Sequence, residues 1–188
     1  MNNRISANVR SIVIAAACLG LGMILPFFTG QIPAIGSRVS PMHIPVLLCG
    51  FLSGPYYALI VGLIAPALRS LMFGMPPMYP TAIAMCFELA AYGAVTGFLY
   101  RALPKKPVFV YVSLVSAMIA GRVVWGLAMA LSLGFTDQPF TWAAFVSGAA
   151  VNAVPGIIIH IALIPAIVLA LRKSKILDVA EPLPSSSR

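Results

Sequence analysis

The chain has 188 residues, 61% of them hydrophobic and only 9% charged, with a formal net charge of +8. Soluble domains carry about 25% charged residues, so this composition excludes a water-soluble globule and makes lipid the surroundings of much of the chain. The apolar segments run about 18–25 residues without apolar/polar alternation, which excludes a membrane barrel and leaves an all-α integral membrane bundle.

The first predicted helix covers Val9–Phe28, behind Arg4 and Arg10. Leu25-Pro26-Phe27-Phe28 is not the small-residue site of a cleaved leader, so this helix is expected to be retained. A long connection, Thr29–Ser40, follows. The second helix, Pro41–Ser53, rises only about 20 Å, less than a bilayer core. Gly54-Pro55 turns the chain into a third helix, Tyr56–Phe73. Gly74-Met75-Pro76-Pro77-Met78-Tyr79-Pro80 cannot be regular helix, because prolines remove donors and fix φ. The fourth helix is Thr81–Leu103, the fifth Val108–Leu133 and the sixth Thr141–Leu171. The last exceeds one span, so it must tilt, kink near Pro155-Gly156 or extend past the bilayer. Residues 1–175 read as one six-helix transmembrane domain, and 176–188 as a Pro/Ser-rich disordered tail.

Basic residues cluster at Arg4/Arg10, at Arg101/Lys105/Lys106 and at Arg172/Lys173/Lys175. With six helices these clusters share one side, which the positive-inside bias makes the cytoplasm of a cell-membrane protein with both ends inside. Clusters placed this way serve orientation, so no nucleic-acid partner is expected. The three cysteines lie in apolar runs without a CxxC, so neither a disulfide framework nor a metal site is expected.

The informative residues are the polar ones inside apolar spans, which are costly in lipid and usually face a protein interior. They are Arg69, Glu88, Arg122, Asn152 and His160, with His43 at the start of the second helix. Glu88 is the one acidic residue within a span, and Arg69 and Arg122 lie near its depth, so an Arg–Glu pair is expected. Tyr92 shares a helix face with Glu88, and Trp125 shares one with Arg122. Such an arrangement can sandwich a flat heterocycle while polar groups orient it; packing is the competing role for each aromatic. Asn152 offers donors and acceptors but equally suits helix–helix contact. Counting along the sixth helix puts His160 more than two turns deeper than the others. Catalytic signatures are missing: no HExxH, GxSxG, P-loop or GxGxxG, and four acidic residues in all. No enzyme activity and no cofactor are expected.

The Ala-rich first helix ends in Leu25-Pro26. Pro41-Met42-His43-Ile44-Pro45-Val46-Leu47-Leu48-Cys49-Gly50-Phe51, Gly54-Pro55 and Gly74-Met75-Pro76-Pro77 follow it. Together they resemble the substrate-binding membrane subunits (S components) of energy-coupling factor transporters, over residues 10–172. The resemblance implies a six-helix protein that captures a water-soluble vitamin or precursor from outside. It also implies partners: a transmembrane scaffold subunit and two ATPases. The family's AxxxA scaffold contact would fall on Ala16 and Gly20, with Gly in place of the second Ala. The external lids would be Thr29–Ser40, with Gly36 and Arg38, and Gly74–Pro80, with Met75, Pro76 and Pro77. His43, Arg69, Glu88, Tyr92, Arg122, Trp125 and Asn152 would bind substrate, with a pyridoxine- or pyrimidine-like heterocycle favoured by this residue set. The alternatives are a small lipid-modifying membrane enzyme using Arg122, Glu88 and His160, and a membrane scaffold protein.

Overall fold

The computed structural model describes residues 2–29, 40–134, 141–148 and 153–174. The expected tail at 176–188, most of the first external loop with Gly36 and Arg38, and Asn152 lie outside the described residues.

Helix α1 runs Asn2–Ile24 and tightens into a 3-10 turn at Leu25–Thr29. The change falls at the residue before Pro26, where the α conformation is disfavoured. Helix α2, His43–Ser53, has 11 residues and rises about 16 Å. Gly54, at φ +90°, ends it, and Pro55 opens α3, Pro55–Phe73. Gly54 needs that backbone region, and its missing side chain leaves room for the Arg101 guanidinium, which a Cβ would meet at 2.1 Å. A wide turn at Met78–Ala82, with Tyr79 extended, leads into α4, Ile83–Ala102. Helix α5 is Pro107–Leu133, with Pro107 in its first turn. Helix α6 is the short Trp142–Val146, whose first amides are capped by the Thr141 hydroxyl accepting from Ala144 N. Helix α7 is Val154–Lys173.

Within the stretch expected as one helix, Thr141–Leu171, the described residues include α6 and α7, with 149–152 outside them. Pro155, one place where a kink was expected, occupies the first turn of α7, where its missing N–H costs nothing. Among the described residues five helices are long and apolar enough to span a bilayer, and α2, as its length led us to expect, is too short. This is a multi-pass membrane protein.

Helix α4 is the centre of the bundle, packed by α2, α3 and α5; α1 lies on α2 and α3, and α7 on α2 and α5. Small residues allow the close approach that drives helix association in lipid. A Cβ on Gly93 would lie 2.6 Å from the Ala58 carbonyl oxygen, and one on Gly97 would lie 2.4 Å from Pro55 N. The outward faces carry Val13, Leu71, Phe98, Ile119, Leu127 and Ile158, all exposed and apolar as a lipid boundary requires. One end of the bundle is basic and tied by carbonyl contacts. Arg101 Nη2 donates to the Ser53 carbonyl (3.0 Å), Lys105 Nζ to Tyr100 (2.6 Å) and Arg172 Nη2 to Lys105 (2.5 Å). The opposite end receives the Met78–Ala82 turn, where the Tyr79 hydroxyl donates to the Ser132 carbonyl of α5.

Candidate substrate site

The site is assembled from four helices around one carboxylate. Glu88 projects from α4 and is 1% exposed. Arg122 reaches it from α5, with Nη1 3.0 Å from Glu88 Oε1. His43, the first residue of α2, places Nε2 3.4 Å from the same oxygen. One turn along α4, the Tyr92 hydroxyl donates to the Glu88 carboxylate, and its ring meets His43 edge-on at 5.2 Å. From α7, His160 stacks on His43 with centroids 6.0 Å apart and hydrogen-bonds to the backbone of Ser40. The backbone N–H of His43 donates to the Ser40 carbonyl at 3.0 Å. His43, Tyr92 and His160 are all buried.

Short α2 explains how His43 comes to lie deep in the bundle. Its far end, Ser53, is fixed at the basic end by Arg101, so its first residue falls about 16 Å inward, at the level of Glu88. Gly121 of α5 makes room for the Tyr92 ring, since a Cβ there would lie 2.5 Å from Cε1.

The cluster is rich in hydrogen-bonding capacity that the protein does not use. His43 Nδ1 and Nε2, His160 Nε2, Arg122 Nε and Glu88 Oε1 are buried without a hydrogen-bond partner. The Glu88–Arg122 and His43–Glu88 approaches are close in distance but not aligned as hydrogen bonds. Buried polar atoms are satisfied in the great majority of cases, so five such atoms on and around one carboxylate make this cluster the candidate site.

Four of the expected residues, His43, Glu88, Tyr92 and Arg122, therefore meet. Arg69 does not join them. Its Nη1 donates to the Met23 carbonyl at 2.6 Å, and its guanidinium carbon lies 5.0 Å and 5.3 Å from the ring centroids of Phe27 and Phe73. It holds the 3-10 turn after α1 against the end of α3, and at 3% exposure it does not snorkel to the interface. Trp125 is half-buried and stacks on Phe145 of α6 at 6.3 Å. Met75 and Pro76 are half-buried and Pro77 exposed, on the segment that Tyr79 ties to α5.

His160 is a correction. It lies in the cluster, stacked on His43, where counting along one helix from Thr141 had put it more than two turns deeper. The available signal was composition: the chain has two histidines, both in apolar segments. Among the described residues no group of three or more His, Cys, Asp or Glu side chains could hold a metal ion. Cys18 and Cys49 are free and buried in the core.

Residues 10–168 match the family described as ECF transporter, substrate-specific component. The chain belongs to that family. No curated protein and no solved structure matched it. A substrate-specific component is the capturing subunit of an ECF transporter, a transport protein that works with scaffold and ATPase subunits. In this S component the polar cluster on α2, α4, α5 and α7 is the candidate substrate site. Ala16 and Gly20 on α1 are exposed, and a Cβ on Gly20 would meet nothing within 4 Å.

Proposed function

We propose that this S component captures a water-soluble vitamin or vitamin precursor at the Glu88 cluster and delivers it through a scaffold subunit and two ATPases. The observation that carries the reading is the set of buried, unpartnered polar atoms on His43, His160, Arg122 and Glu88, converging from four helices. Tyr92 supplies a ring beside them, which suits a small aromatic heterocycle with hydroxyls, pyridoxine- or pyrimidine-like. The basic end, with Arg101, Lys105 and Arg172, faces the cytoplasm of the cell membrane by the positive-inside bias, so capture is from the opposite side. On that side the segment 74–80, tied to α5 through Tyr79, serves as a lid. The exposed small face of α1 at Ala16 and Gly20 is where the scaffold helix approaches.

A lipid-modifying enzyme would need its reactive groups open to the bilayer. Glu88 and His160 are 1% and 3% exposed, which favours capture. The test is titration of the purified protein with B vitamins and their precursors, followed by tryptophan fluorescence and calorimetry. Saturable binding by one compound, lost in a folded Arg122→Gln variant, supports the reading. No binding across the panel refutes it.

A further inference from the structure

The charges at the cluster are already paired, and the remaining cation in the described core is held elsewhere. Glu88 has Arg122 at 3.0 Å. Arg69, the other guanidinium within a span, is held by the Met23 carbonyl at 2.6 Å and by two phenyl rings. Arg101 and Arg172 bind carbonyls at the basic end, about 16 Å along α2 from His43. What the cluster leaves unused is hydrogen-bonding capacity rather than charge. Arg122 Nε–H is a donor, Glu88 Oε1 an acceptor, and His43 Nδ1, His43 Nε2 and His160 Nε2 are each one or the other by tautomer.

We infer that the substrate is electrically neutral: a heterocycle bearing hydroxyl, amide or ring-nitrogen groups, without carboxylate or phosphate. This rests on the capture reading above. A neutral molecule gives an O–H or N–H to Glu88 Oε1 and accepts from Arg122 Nε, and the imidazoles adapt to either polarity. An anion at the same place meets a buried carboxylate whose counter-charge is already spent. Like charges brought together in a desolvated site are strongly disfavoured. Glu88 thus acts as a filter on charge as well as a hydrogen-bond acceptor.

The test is calorimetric titration of the full chain in detergent with matched pairs that differ mainly in charge. These are pyridoxine and its 5′-phosphate, nicotinamide and nicotinate, panthenol and pantothenate, and 4-amino-5-hydroxymethyl-2-methylpyrimidine and its monophosphate. The expected result is saturable binding of a neutral member, with its anionic twin weaker by at least about a hundredfold. Glu88→Gln releases the Arg122 charge and should narrow that gap by about tenfold or more. If this variant fails to fold, the wild-type pairs still decide. An anionic member that binds as tightly as its neutral twin, or alone, overturns the inference while capture stands. A gap unchanged in folded Glu88→Gln overturns the assignment of the filter to Glu88. If neither member of any pair binds, the capture reading fails and the inference with it.

Discussion

Replacing Arg122 by Gln leaves Glu88, 1% exposed, without its counter-charge. The separation of 3.0 Å gives a Coulomb attraction of about 5–6 kcal/mol at an effective dielectric of roughly 20. Desolvation of both ions offsets much of this, so the intact pair contributes little net stability. Removing one partner strands the other, and that costs about 3–5 kcal/mol. Glu88→Gln should cost a similar amount by stranding Arg122, which is itself only 18% exposed. The double variant replaces two buried ions by two amides, so its loss should fall short of the sum of the singles by about 2–3 kcal/mol. His43 is present at every corner of this cycle, so its own contact with Glu88 largely cancels. The assay is reversible unfolding of the detergent-solubilised protein by added SDS, followed by far-ultraviolet circular dichroism. Additivity of the two singles within about 0.5 kcal/mol would refute an energetically coupled pair.

Arg69→Gln should lower stability by about 1.5–3 kcal/mol through loss of the charged bond to the Met23 carbonyl, as read in the same SDS titration, while calorimetry finds ligand affinity within about threefold of wild type. A large affinity loss would return Arg69 to the site. Gly121→Ala places a methyl 2.5 Å from the Tyr92 ring. It should displace the phenol from Glu88, cost about 1–3 kcal/mol and weaken ligand binding roughly tenfold or more, measured by unfolding and calorimetry on one preparation. Gly97→Leu, against Pro55 N at 2.4 Å, should push α3 off α4 and abolish a monodisperse peak in size-exclusion chromatography. Gly20→Leu adds bulk where nothing lies within 4 Å, so purified protein should bind ligand normally while uptake by cells carrying the scaffold and ATPases falls by about tenfold or more.

Much of the fold was legible because lipid imposes a simple grammar. Long apolar runs become helices, prolines and glycines stop them, and cations gather at one end. The ends of α2 through α5 follow from Gly54-Pro55, the prolines at 76–80 and Pro104–Pro107. The Glu88–Arg122 contact was legible for a related reason, since a lone carboxylate in lipid needs a cation nearby. Arg69 was not, because depth alone cannot distinguish a carboxylate partner from a carbonyl released where α1 tightens before Pro26. His160 was misplaced because its depth was counted along its own helix alone, while its position is set by His43, which short α2 carries deep into the bundle. Trp125 shares a face with Arg122, but a helix face is wide enough for the indole to turn toward Phe145 instead.

Helix α4 divides its labour by angle. Glu88, Tyr92 and Thr96 follow one another at four-residue intervals, while Gly93 and Gly97 sit about 140° and about 180° away from Glu88 and receive α3. The contact of α4 with α3 is therefore made on a face turned away from the polar cluster. Exchanging side chains along the Glu88 edge alters what is recognised without loosening the seam that fixes where recognition occurs. For protein engineering this makes α4 a fixed rail with an interchangeable row of chemical fittings. A new ligand preference is to be sought at 88 and 92 first, with 93 and 97 left as glycine.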